Sequence, residues 1–403
     1  MQFLFRLAAV AALPFFVQGA PLSKKEAIPG KYIILFKPTV NVTTILSHHN
    51  TVREIHARNI LSRRDISALE SSGLEFEYGF GDFHAYVGGF DAKTIEELEN
   101  LPEVLNIEED SVMTTLDLQT QGSAPWGLGS ISAKTGKSSN YVYDSTGGEG
   151  TYSYVIDTGI RITHNEFEGR ATFGYNAVND INTDNAGHGT HVAGIVGGKT
   201  YGVAKKTNLI AVKIFEGNSG TTSTVIKGFD WAVKDVVAKG REKTAVLNLS
   251  LGGAGSTTWD AAITAAWNAG VLAVVAAGNE NQLASNRSPA RSPEAVTVGN
   301  VQSDLKRFGG SSGSNYGPAV DIFAAGTSVI SAYRTSDNAT QSLTGTSMAA
   351  PHVAGLVSYI RGLEGPATAE VIKTRIYALA QTGKVTDLKE SADKLAYNGN
   401  NEQ

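Results

Sequence analysis

Gly345-Thr346-Ser347-Met348-Ala349-Ala350-Pro351-His352-Val353-Ala354-Gly355 is the stretch on which the reading of this 403-residue chain turns. Small residues lead into an apolar run that continues to Ile360 with helical spacing. A proline is accepted in the first turn of a helix, where its missing N–H would have no partner anyway. Pro351 therefore predicts a helix that starts just ahead of it, with Ser347 at its positive end. There the helix dipole and the free N–H groups favour developing negative charge. Taken alone, a serine in that place is an ordinary N-cap. To be a nucleophile it needs an imidazole to take its proton and a buried carboxylate to hold that imidazole in one tautomer.

Working toward the amino terminus, both partners appear. Gly187-His188-Gly189-Thr190-His191-Val192-Ala193-Gly194 carries a histidine at the start of another apolar helical run. Tyr154-Val155-Ile156-Asp157-Thr158-Gly159 delivers a carboxylate at the end of an apolar strand, where a glycine turns the chain away. Each block has another reading. Asp157 alone is equally a turn residue, and Asp157-Thr158-Gly159 matches the aspartic-protease tripeptide; that chemistry needs two carboxylates sharing a proton, and no second such tripeptide occurs. His188 and His191, three apart, would suit a zinc ion on one helical face, but the glutamate of a zinc-protease motif and all cysteines are missing. His164 and His352 read as structural.

The order Asp, His, Ser is that of the subtilisin type, and the three blocks together resemble the subtilisin-like serine endopeptidases. Within them the likeness is to the secreted fungal branch of proteinase K and the alkaline proteases. It runs from Ala124-Pro125-Trp126-Gly127-Leu128 to Leu395-Ala396-Tyr397-Asn398. Val192 stands where proteinase K has a cysteine, which favours the alkaline-protease side; Ala350 stands where the family usually has threonine. The resemblance implies that Ser347 attacks a peptide carbonyl, His188 shuttles the proton and Asp157 orients His188. It makes Asn279 the oxyanion donor, and Ser250-Leu251-Gly252 and Ala276-Ala277-Gly278 the two walls of a roomy S1 pocket for apolar or aromatic side chains. Ser219 and Gly220 would lie on an edge segment that pairs with substrate backbone. It also implies a structural Ca²⁺ on Asp321 and the carbonyls of Pro293 and Ala295, and no catalytic cofactor. A catalytically silent binding protein on the same fold, or a metallohydrolase, are the rival classes.

Strand, glycine turn and helix alternate from residue 124 onward. The runs Tyr152–Ile156, Leu209–Ile214, Val246–Leu249, Val271–Val275 and Val296–Val298 are nearly continuous in apolar residues, as strands covered on both faces are. With helical patterns over Thr222–Ala238 and Trp259–Ala269 they predict a doubly wound, mainly parallel α/β domain spanning 117–403, with its site at the strand carboxyl ends.

Residues 21–116 read separately. Strands Tyr32–Phe36, Phe83–Phe90 and Val104–Ile107, a helix-compatible Thr39–Ile60, and a helix capped by Asp91 and closed by Pro102 predict a small α/β, ferredoxin-like unit. It resembles the inhibitor-type propeptide of the family, a chaperone and intramolecular inhibitor cut near Leu116. Thr114–Ser123 reads as a polar processing linker, and Arg63-Arg64 as a solvated turn or a dibasic cut site.

Arg6 before the apolar Leu7–Val17, followed by Gly19-Ala20, reads as a secretory leader over 1–20. The expected product is exported, monomeric and free in solution. Cysteine is absent, so no disulfide staples it. A net charge of −5 gives no reason to expect nucleic-acid or anionic-membrane partners. Sequons stand at Asn41, Asn286 and Asn338, and at Asn248, which falls in an apolar strand and should escape modification.

Overall fold

The computed structural model describes residues 27–61, 72–111 and 118–403. The expected leader, Arg63-Arg64 and the Leu116 junction lie outside them. The described residues divide into two compact units, 27–111 and 118–403.

In the smaller unit the order is strand Ala27–Phe36, helix Val42–Leu61, strands Gly73–Phe80 and Phe83–Gly89, helix Ala92–Glu99 and strand Val104–Ser111. The sheet is antiparallel, and Ala27–Phe36 lies between Phe83–Gly89 and Val104–Ser111. This is the ferredoxin-like arrangement. Asp91 caps the second helix as expected, its Oδ1 accepting the Thr94 N–H at 2.7 Å. Asn41 caps the first in the same way, accepting from Thr44 N at 2.9 Å. Ile34, Phe36, Val52, Tyr86 and Leu98 form the core between sheet and helices. The edge strand Gly73–Phe80 was not anticipated, although Leu74, Phe76, Tyr78 and Phe80 alternate with Glu75, Glu77 and Gly79 at the strand period.

The larger unit is built on seven strands, all parallel. Their spatial order is Ile322–Ala325, Val296–Val301, Leu272–Ala276, Ala245–Leu249, Tyr152–Asp157, Asn208–Lys213 and Ala171–Asn176. Successive side chains go to opposite faces. Val155 joins Val192, Val196, Val353 and Val357 on the side of helices His188–Gly197 and Thr346–Glu364. Its neighbours Tyr154 and Ile156 join Phe229, Val236 and Trp259 on the side of helices Thr222–Ala238 and Thr257–Asn268. Two cores on one sheet explain the continuous apolar runs. The outermost strands Ala171–Asn176 and Ile322–Ala325 were missed, the first because Gly174 interrupts it at a bulge and the second because it has only four residues.

Two expectations need correction. Leu118–Gln121, assigned to a linker, is a strand paired antiparallel with Tyr141–Asp144. Pro351 sits in the second turn of its helix, since that helix begins at Thr346. The proline removes the N–H that would have bonded the Ser347 carbonyl, and the site below shows what replaces it. Among the described residues no helix is long and apolar enough to cross a membrane.

Candidate active site

The central strand ends at Asp157, which is 1% exposed. Both its oxygens receive His188 Nδ1, at 2.8 and 2.9 Å, and Thr158 N–H donates to Oδ1 at 2.7 Å. An ionised carboxylate only accepts, so the proton of the neutral ring lies on Nδ1 and Nε2 is left as an acceptor. His188 opens its helix after Gly187, whose φ of +98° suits glycine. Gly189 is required for another reason: a Cβ there would come within 2.1 Å of Gly159 O, so only glycine lets this helix approach the Asp157 turn.

Burial works to lower the His188 pKa, but the charge of Asp157, its hydrogen bond and the further charge of Asp184 outweigh it and hold the imidazole above its ordinary value. Asp184 is a residue the sequence reading missed. Its carboxylate, 4% exposed, accepts from Thr158 Oγ1, Ala186 N, Gly187 N, Thr190 N and Thr190 Oγ1, and Thr158 Oγ1 in turn accepts Gly189 N–H at 2.9 Å. The loop carrying Asp184 is held from below by buried Lys213, whose ammonium donates to Thr183 O at 2.6 Å and pairs with Glu216. An aspartate three residues before the Gly-His-Gly turn was the available signal.

Ser347 is the second residue of the long buried helix and shares a cleft of about 520 Å³ with His188. Its hydroxyl donates to Ser250 O at 3.2 Å, and Ser250 Oγ donates to Ser347 O at 2.8 Å, supplying the carbonyl that Pro351 leaves open. Asn279 lies just past the strand Leu272–Ala276. Its Oδ1 accepts from Thr346 N at 2.8 Å and Thr346 Oγ1 at 3.1 Å, leaving the Nδ2 donors for a ligand. Ser219, Gly220, Ser250, Leu251 and Gly252 line the cleft, and Asn218–Gly220 is exposed and, among the described residues, not strand-paired. Ala276 and Ala277 are buried and Gly278, half-buried, donates its N–H to Thr346 Oγ1, so any wall they make is of backbone and methyl groups. His191 turns away from His188 and its Nε2 meets Val329 O and Gln341 O; burial pushes its pKa down to about 4. The two histidines therefore do not converge on one ion. His164 and His352 are engaged by Ala339 O and Met348 O, as structural histidines should be.

Residues 148–399 match the subtilase family, and residues 31–116 match the peptidase inhibitor I9 family. The chain belongs to the subtilase family. It is 50% identical over 379 residues to an alkaline protease 1 of Aspergillus clavatus, covering 94% of this chain and 93% of that one. It is 47% identical over 412 residues to an alkaline proteinase of Hapsidospora chrysogena, covering 99% and 100%. The crystal structure of a cold adapted subtilisin-like serine proteinase aligns with a TM-score of 0.63 at 40% identity, over 69% of this chain and 99% of the other. This subtilase is a serine endopeptidase with an inhibitor-type propeptide, made as a zymogen.

Subtilases use no catalytic cofactor and often bind structural calcium. The site expected on Asp321, Pro293 and Ala295 does not fit that ion. Lys373 Nζ donates to Pro293 O at 2.6 Å and to Ala295 O at 2.7 Å, so an ammonium already sits on both carbonyls. Oδ2 of Asp321 accepts Thr297 N–H at 2.8 Å. Ca²⁺ takes six to eight oxygens, and two carbonyls facing an ammonium do not supply them. The lysine, far along the chain in helix Ala369–Leu379, carried no signal toward these carbonyls.

Among the sequons, Asn41, Asn286 and Asn338 are exposed, whereas Asn248 is buried and donates to Ser250 Oγ.

Proposed function

We propose that this subtilase is a secreted, monomeric endopeptidase of broad specificity that frees itself from its own propeptide. Ser347 Oγ rotates from Ser250 O toward His188 Nε2 and attacks the scissile carbonyl while His188 takes its proton. The oxyanion is held by Asn279 Nδ2 and the Ser347 N–H. The tetrahedral intermediate collapses as His188 returns the proton to the leaving amine, giving an acyl-Ser347 and a free amino terminus. Water, deprotonated by His188, then releases the acid and restores Ser347. Asp157 keeps His188 in the required tautomer and stabilises the imidazolium.

The observation that carries this reading is the paired contact of His188 Nδ1 with buried Asp157, which directs Nε2 to the cleft shared with Ser347. The Ser347 hydroxyl donates to Ser250 O here; catalytic hydrogen bonds often tighten only once substrate is bound. None of the described lining residues is Asp or Glu, which supports an apolar or aromatic residue before the cut bond. The exposed segment at Ser219 and Gly220, lining the cleft, supports main-chain pairing with little sequence demand.

Export rests on the leader-like residues 1–20. The propeptide is cut after Leu116, an apolar residue that suits this pocket, leaving Asp117 at the mature end. A glycan is assigned to Asn338, with Asn286 and Asn41 as further exposed acceptors. Purified Ser347→Ala tests the whole scheme: it should fold, remain an uncut precursor and cleave no casein. Maturation of that variant with no other protease present contradicts self-processing. Amino-terminal sequencing of the parent places the junction, and a start before Met113 or after Ser123 refutes it.

A further inference from the structure

Lys373 lies in the helix Ala369–Leu379 and reaches across to the loop before strand Val296–Val301. That loop is a preformed turn: Ala295 N–H donates to Ser292 O and Thr297 Oγ1 to Ala290 O, so the carbonyls of Pro293 and Ala295 are held in place. Both accept from the one ammonium. The indole of Trp267 lies beneath it, its centroid 5.4 Å from Nζ. Burial lowers the Lys373 pKa, and the negative charges of Asp321 and Glu294 offset it in part. Two convergent carbonyls, an aromatic face and nearby carboxylates make a cation receptor, and here the cation is tethered to the chain.

We propose that Lys373 is the resident cation of the Pro293–Ala295–Asp321 cage, that this subtilase holds no metal there, and that the cage becomes a divalent-cation site once the ammonium is removed. A lysine is a compact point charge with three donors, so two carbonyls satisfy most of its needs without the extra oxygens that calcium demands. Its presence also repels a divalent ion from the same oxygens. Removing the charge leaves two aimed carbonyls and the Asp321 carboxylate open to water and ions.

The test uses mature enzyme blocked with a serine-directed sulfonyl fluoride, so that self-digestion does not distort melting. The parent, Lys373→Met and Lys373→Ala are melted with chelator and with millimolar CaCl₂, and Asp321→Asn is melted alone and combined with Lys373→Ala. Terbium(III) is titrated into each while the tryptophans are excited. The parent should show no calcium shift that Asp321→Asn removes. Lys373→Met, which keeps the stem, and Lys373→Ala should both melt lower in chelator. Lys373→Ala should recover with calcium, bind terbium with emission lost in Trp267→Phe, and lose both responses when Asp321→Asn is added. A calcium shift in the parent that Asp321→Asn abolishes overturns the proposal, because the metal then displaces the lysine. Unchanged melting in both Lys373 variants also overturns it, as does a Lys373→Ala protein with no calcium or terbium response.

Discussion

Ser250 and Ser347 are joined by two reciprocal hydrogen bonds: the Ser250 hydroxyl donates to the Ser347 carbonyl at 2.8 Å, and the Ser347 hydroxyl to the Ser250 carbonyl at 3.2 Å. The first exists because Pro351, four residues on, has no N–H to offer that carbonyl. A chain of donors follows, since Asn248 Nδ2 donates to Ser250 Oγ at 3.0 Å. The end of strand Ala245–Leu249 thus anchors the first turn of the helix that carries the serine.

Ser250→Ala removes the donor and leaves the Ser347 carbonyl and the Asn248 amide short of a partner. The expected cost is about 1–3 kcal/mol, the range for a buried polar group left unsatisfied. Urea unfolding of the inhibited enzyme measures it. Because the helix start shifts with the carbonyl, kcat should fall more than KM rises; a change confined to KM would make Ser250 only a pocket wall.

The pH profile follows from His188. Its pKa is held above the ordinary value of 6.5, and the base works only when neutral, so kcat/KM should fall with acid along a limb centred above 6.5. Asp157→Asn removes the charge that raises it: the limb should move to lower pH and kcat should drop by roughly 10⁴ from the wrong tautomer, a size known from another serine-protease family. Asp184→Asn should move the limb the same way by less, since its charge acts from further off. Stability has the opposite dependence. A raised folded pKa stabilises fully below the unfolded value, and that contribution is lost as pH rises through the folded one. Acid limbs of the three proteins that coincide would show that neither carboxylate sets the value.

How far the chain could be read is uneven for physical reasons. Asp157, His188 and Ser347 are legible because each sits where a periodic apolar run meets a glycine turn, and such junctions need particular residues. Central strands are legible because both faces are buried; the outermost Ala171–Asn176 and Ile322–Ala325 are shorter or interrupted. Lys213 acts through a loop carbonyl, which leaves no pattern, and Asp184 is marked only by its place three residues before Gly187. Lys373 is the sharpest case: a lysine on a half-exposed helix reads as solvated, and only the fold brings it to Pro293 and Ala295.

Asn279→Ala should lower kcat by about 10²–10³ with little change in KM, because its free Nδ2 meets negative charge only in the transition state. The size is that of the matching donor in subtilisin, itself a subtilase. The contacts of Oδ1 with Thr346 add a second expectation: the variant should melt lower, since the Thr346 N–H loses its acceptor. A loss confined to KM, with kcat unchanged, would place Asn279 in ground-state binding instead.

The central claim is that Ser347 is the nucleophile activated by His188 on Asp157, and labelling of the mature enzyme with a fluorophosphonate, followed by peptide mass mapping, measures it directly. One label per chain is predicted, on the peptide containing Ser347, with activity lost in proportion and labelling slowed by orders of magnitude in His188→Ala. A label on another residue, or full activity in the stoichiometrically labelled enzyme, would contradict the account.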